Sequence, residues 1–128
     1  MDVLLDTHIL LWAWADDARL SKKARAWMAS PDTRMRVSVV SFWEIAIKSS
    51  VGKLSLQAPL PELAASLPDF GITLLGLKVE HALKVASLPF HHRDPFDRML
   101  IAQALHEGWR LATMDNQFKP YDVPLANL

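Results

Sequence analysis

Apolar and polar positions alternate along the chain in blocks whose lengths suit short strands and mid-length helices. Val3-Leu4-Leu5 is a continuous apolar run ending at Asp6, the pattern of a buried strand. Ile9-Leu10-Leu11-Trp12-Ala13-Trp14 predicts an apolar helix directly after it. Ser21 is placed to cap a second helix over residues 22–29, which must stop before Pro31. Arg36-Val37-Ser38-Val39-Val40 is β-branched and bounded by polar residues, so it reads as a second strand. Ser41-Phe42-Trp43-Glu44 has the form of a capping box and opens a helix running to about Ser50, before Gly52.

The second half repeats the alternation. Residues 60–67 predict a proline-bounded helix, and Ile72-Thr73-Leu74-Leu75 a third strand. Residues 79–88 are amphipathic, with Val79, Leu83 and Ala86 on one side, which assigns that side to the core. Asp94 can cap a helix whose first position is Pro95 and whose first turn holds Asp97; it passes through Leu105 and closes at Gly108. Arg110-Leu111-Ala112-Thr113 predicts a fourth strand ending near Asp115, and Pro124-Leu125-Ala126 a final edge strand. Strands alternating with helices predict an α/β fold, a three-layer α/β/α sandwich around a mainly parallel sheet.

Composition narrows the class. A chain of 128 residues with no internal repeat or long linker is expected to be one domain, residues 1–128. Hydrophobic residues at 51% and charged residues at 22% exclude intrinsic disorder. Fourteen basic side chains balance fourteen acidic ones, so any nucleic acid must be held by a local patch or a metal. The absence of cysteine removes disulfides, thiol nucleophiles and thiolate metal sites. The longest uncharged stretch is nine residues, Thr7 to Ala15, against about 20 needed to span a bilayer. Asp2 and Asp6 stand where a secretory signal would be basic, so no membrane association and a cytoplasmic location are expected.

The acids carry the chemistry. Ligands of open parallel sheets bind beyond the carboxyl ends of the strands. Asp6 ends the first strand, Glu44 lies a short step past the second, and Asp115 lies just past the fourth. Asp97 sits in the first turn of a helix at the same end of the sheet. Each also has a capping reading, because strand-to-helix turns favour Asp and helix first turns favour acids. Taken together, four carboxylates in one cleft would repel one another unless a hard divalent cation, Mg²⁺ or Mn²⁺, lay between them. Such a cluster, without thiols, is the pattern for phosphoryl transfer or phosphodiester hydrolysis.

Four segments make the sequence recognisable: Asp6-Thr7-His8; Trp43-Glu44-Ile45-Ala46-Ile47-Lys48 with Gly52-Lys53-Leu54 behind it; residues 94–104, DPFDRMLIAQA; and Leu111-Ala112-Thr113-Met114-Asp115. Across essentially the whole chain they resemble the PIN-domain family, and more closely the VapC-like toxins of bacterial type II toxin–antitoxin systems. The resemblance implies an α/β/α nuclease fold, Mg²⁺- or Mn²⁺-dependent cleavage of RNA, and inhibition by a cognate antitoxin. Asp6, Glu44, Asp97 and Asp115 match the family's acidic positions. Thr7 follows the first acid as it usually does, and Thr113 matches a Ser/Thr position beside the last. Two positions depart from the pattern. His8 stands where Asn is common, and is either a substrate contact or a cap. Asp94 is an additional acid, read as an N-cap before an outer ligand.

The basic and aromatic residues complete the expectations. His91 and His92 are adjacent and point apart, which argues against a two-His metal site. Arg93 and Arg98 are candidate contacts to RNA phosphates, although Arg98 also has Asp94 one turn away. Lys48 and Lys53 suit either role. Trp12 and Trp14 cannot both face inward, so one is a candidate anchor for the antitoxin, while Trp27, Trp43 and Trp109 are assigned to the core. A neutral, apolar-rich chain favours a homodimer. The competing classes are a phosphoacceptor domain, which lacks its acidic pair and its lysine, and a catalytically idle interaction module. No glycine cluster supports dinucleotide binding.

Overall fold

The computed structural model describes residues 1–128. Four parallel strands form one sheet in the order β3-β2-β1-β4: β1 (Asp2–Leu5), β2 (Arg34–Ser38), β3 (Ile72–Leu75) and β4 (Arg110–Ala112). Six helices connect them: α1 (Thr7–Ala15), α2 (Lys22–Ala29), α3 (Val39–Ser50), α4 (Leu60–Ser66), α5 (Val79–Ala86) and α6 (Pro95–Glu107). The period-two pleat of β1 divides the interior. Val3 and Leu5 face a core shared with Ile9 of α1, Ala24 of α2, Ile45 of α3 and Leu63 of α4. Leu4 faces the opposite core, built with Leu100 and Ile101 of α6, Leu111 of β4, Phe118 and Tyr121. These two cores are the interfaces of an α/β/α sandwich.

Local sequence explains most boundaries. Ser21 caps α2 by accepting the Ala24 N–H, and Asp94 caps α6 by accepting those of Phe96 and Asp97. Gly108 closes α6 in the left-handed region at φ 74°, where a side chain would be strained. The final edge strand reduces to a single parallel bridge between Leu125 and Leu111.

Two expectations need correction. The second strand ends at Ser38, and α3 begins at Val39 rather than behind Ser41. The Ser38 hydroxyl accepts the Val40 N–H at 3.0 Å and starts the helix three residues early, so the β-branched pair Val39-Val40 becomes helical. Ser41 is buried inside the first turn, its Oγ 3.0 Å from the Thr7 hydroxyl. In α5 the apolar side faces out: Val79 and Leu83 are 68% and 67% exposed. The inward side is anchored by His81, fully buried, whose Nδ1 accepts the Lys78 N–H while Nε2 lies 3.3 Å from Glu107 of α6. That polar anchor, followed by Val85 and Leu88, sets the rotation of the helix against its hydrophobic pattern.

Replacing Ser38 by Ala should cost about 1 kcal/mol, the usual worth of an N-cap. Urea unfolding should show a lower midpoint with an unchanged slope; an unchanged midpoint would return the helix start to Ser41.

Candidate active site

Parallel pairing places the carboxyl ends of all four strands on one edge, and the turns leaving that edge bear the acids. Asp6 follows β1 directly. Its Oδ1 accepts the Ile9 N–H at 2.8 Å, so it caps α1 and belongs to the edge at once. Only 4% exposed, its carboxyl is raised above the usual range by burial and by Glu44; the Thr113 hydroxyl, the Ile9 N–H and His8 oppose this.

Glu44 lies on α3, 3% exposed, with both oxygens engaged. Oε1 accepts the Thr7 hydroxyl at 2.6 Å, and Oε2 accepts the Lys48 ammonium from one helical turn on. That hydrogen bond raises the Lys48 ammonium above its ordinary value, with the charges of Glu44, Asp94 and Asp97 adding to it. Lys48 is thus the counter-charge that the chain itself supplies.

Asp97, in the first turn of α6, feels the whole cluster. Its carboxyl is pushed up to about 8, first by burial and then by the charges of Asp94, Glu44, Asp115 and Asp6. Oδ2 lies 3.2 Å from Nε2 of His92, while no donor of the chain reaches Oδ1. Asp115 is exposed at the rim and accepts the Gln117 N–H at 2.9 Å, capping the 3₁₀ turn Asn116–Phe118. Thr113 is buried beside it and accepts the Asp115 N–H at 3.0 Å. The fold therefore gathers Asp6, Glu44, Asp97 and Asp115, with Asp94 close enough to be felt although its oxygen caps α6.

No three of the acidic and histidine side chains close into a ready-made ion cage. Their oxygens are turned to Lys48, Thr7, His92 and backbone N–H groups instead. The donor set nevertheless fits a hard divalent cation. It is all oxygen and mutually repelling, buried at Asp6 and Glu44 and open at Asp115, and a cation would offset the acidic charges that add to burial in raising the Asp97 carboxyl.

The surroundings are sorted by burial. A cleft of about 290 Å³ runs over Glu44, lined by Thr7, His8, Lys48 and Lys53, with His8 on its exposed rim. Arg93 is exposed on the loop before α6. Arg98 is not a phosphate contact, and it does not pair with Asp94. It is 4% exposed, donates to the carbonyls of Val85, Leu88 and Pro89 and to the Tyr121 hydroxyl, and stacks 4.0 Å over Phe90. Trp43 also departs from expectation: it is 61% exposed and meets Phe96, the neighbour of Asp97, edge-on at 5.2 Å. Trp12 and Trp14 are both half-buried, so neither is the free face of α1. His92 and Tyr121 carried no signal in the sequence, because their meeting with Asp97 depends on the return of the chain through Asp94-Pro95 and on a C-terminal segment remote in sequence.

A parallel α/β/α sandwich with acids on the carboxyl edge of its sheet defines a recognisable class. The chain belongs to the PIN-domain family, which residues 3–124 match. It is 29% identical over 123 residues to Ribonuclease VapC22 of Mycobacterium tuberculosis (strain ATCC 25618 / H37Rv), covering 95% of this chain and 93% of that protein. The fold is shared with a chain of VapBC2 from Rickettsia felis, solved bound to a DNA fragment from its promoter: TM-score 0.73, 16% identity, 99% and 98% coverage. It is shared also with a chain of VapBC-1 from nontypeable Haemophilus influenzae: TM-score 0.69, 17% identity, 99% and 98% coverage.

The position of Asp97 has a measurable consequence in metal-free protein. An unfolded Asp releases its proton near 3.9 and the folded one at about 8. Between these values the native state holds a proton that the unfolded state has lost, so stability falls as pH rises. Asp97→Asn removes that loss. Its melting temperature in EDTA should exceed the parent's by more at pH 8 than at pH 5, and a pH-independent difference would contradict the assignment.

Proposed function

We propose that this chain is the RNA-cleaving toxin of a type II toxin–antitoxin pair, an endoribonuclease acting on cellular RNA in the cytoplasm. One observation carries the reading. On the carboxyl edge of a PIN-family sheet stand Asp6, Glu44, Asp97 and Asp115, where burial first and then the neighbouring acidic charges push the Asp97 carboxyl up to about 8. A cluster that costs the fold stability in this way is the mark of a functional site. The similarity to a ribonuclease over nearly the whole chain, and to chains of VapBC complexes in fold, supports the same reading.

Asp6, Glu44, Asp97 and Asp115 would hold Mg²⁺ or Mn²⁺, with Asp94 outside them. When bound, the cation supplies Lewis-acid stabilisation of charge developing on the scissile phosphate. The chain's own residues do the rest. Thr7 and Thr113 orient the carboxylates of Glu44 and Asp6. Lys48 exchanges Glu44 for solvent or a phosphate oxygen when an outside charge takes its place. His8, Lys53 and Arg93, all exposed around the edge, contact RNA phosphates. Trp43, standing free beside Phe96, offers a face on which a base can stack.

The test is incubation of the purified protein with total RNA, in Mg²⁺, in Mn²⁺ and in EDTA. Cleavage should require the cation and fall by orders of magnitude in Asp97→Asn. Cleavage that persists in EDTA would refute the cation site, and no cleavage by well-folded protein would favour the interaction module.

A groove of about 370 Å³ beside α1, lined by His8, Leu11, Trp12, Trp14, Leu54 and Leu56, suits an amphipathic segment of the antitoxin. Trp12→Ala and Trp14→Ala should each weaken antitoxin binding by about 2 kcal/mol in a titration, as buried aromatic anchors do. Unchanged affinity in both would place the antitoxin elsewhere. The outward apolar residues from Leu74 to Leu83 suit a second copy of the chain, giving a homodimer.

A further inference from the structure

His91 and His92 are a weak metal pair by spacing, but in the fold His92 does something else. Its side chain lies between Asp97 and Tyr121: Nε2 is 3.2 Å from Asp97 Oδ2, and Nδ1 is 2.9 Å from the Tyr121 hydroxyl. Hydrogen-bond bookkeeping at that hydroxyl fixes the tautomer. The oxygen already accepts Arg98 Nη1–H at 3.1 Å and the backbone N–H of His92 at 3.2 Å. Two donors fill its two lone pairs, so a third from Nδ1 has no place. The Tyr121 proton must therefore be donated, and the nearest acceptor is Nδ1, ahead of the His92 carbonyl at 3.4 Å. With Nδ1 an acceptor, the neutral ring carries its proton on Nε2, where it can be donated only to Asp97.

Arg98 is what makes this arrangement stiff. It is buried, and its Nη1 and Nη2 also donate to the carbonyls of Val85, Leu88 and Pro89, which holds it against Tyr121. The ring of His92 is held edge-on to Tyr121 and against Phe118. A chain of donors runs Arg98, Tyr121, His92, Asp97, each step directed at the acid.

We propose that His92 is a positioning residue for Asp97: locked as the Nε2–H tautomer by Tyr121 and Arg98, it pins Oδ2 and leaves Oδ1 free for the cation. The proposal rests on the cation reading of the site, and it adds the device that orients one ligand.

Two measurements on the full chain test it. Long-range ¹H–¹⁵N spectra of metal-free protein should show His92 protonated at Nε2 and bare at Nδ1. Calorimetric titration with Mn²⁺ alone should then give roughly ten- to hundredfold weaker binding for His92→Phe, the usual range for losing a partner of a metal ligand. His92→Gln, whose amide can reach the Nε2 position, should recover most of the affinity, and Tyr121→Phe should lose part of it. Thermal melting establishes that each variant is folded. His92 protonated at Nδ1 would overturn the proposal. So would parental Mn²⁺ affinity in folded His92→Phe, which keeps a ring in place and loses both nitrogens, the donor to Asp97 among them. A parent that binds no Mn²⁺ would bring down the cation reading and the proposal together, an outcome distinct from both.

Discussion

Like charges brought together where water is scarce are the constraint around which this molecule is built. Parallel strands deliver their carboxyl ends to one edge, and the acids that follow them arrive there together. Left alone, buried carboxylates either take up protons or push the structure apart. The chain answers each one separately. Glu44 has Lys48 and Thr7, Asp6 has an N–H of α1 and Thr113, and Asp97 has His92 and keeps its proton. The site is a set of local truces, each involving a side chain that a stronger external charge could displace.

Capping and function are usually weighed as rival explanations of an acid at a helix start. Here they coincide. Asp6 caps α1 with Oδ1, Asp94 caps α6, and Asp115 caps a short 3₁₀ turn, yet all three contribute to the field felt by Asp97. The coincidence is physical. A helix N-terminus offers N–H groups that fix a carboxylate's orientation and offset part of its charge. The elements that create the cluster also make it tolerable.

Much of this was legible in the chain, for reasons that can be traced to single residues. The run Val3-Leu4-Leu5, the caps at Ser21 and Asp94, Pro95 at the first helical position and Gly108 behind α6 are local signals, and local signals set where elements begin and end. The four acids were legible because their positions relative to those elements were. What escaped depended on tertiary partners. Ser38 started α3 ahead of Ser41 because its hydroxyl met the Val40 N–H first. The face of α5 was decided by His81 and its reach to Glu107, against the apolar pattern. Arg98 looked like a surface cation and became a buried hub because four oxygens from other elements surround it. Trp43 remained outside because the inward positions of α3 belong to Val40, Glu44 and Ile45.

The order of the strands also governs when the site can exist. β1 lies between β2 and β4, so the strand that precedes Asp6 waits for residues 110–112 to complete its pairing. Tyr121, which steadies His92, comes later still. Contacts between segments about a hundred residues apart carry a large loop-closure cost and form late. Asp6 and Glu44 are therefore made before the segments that complete their surroundings, and the cleft closes only once residues 110–121 are in place.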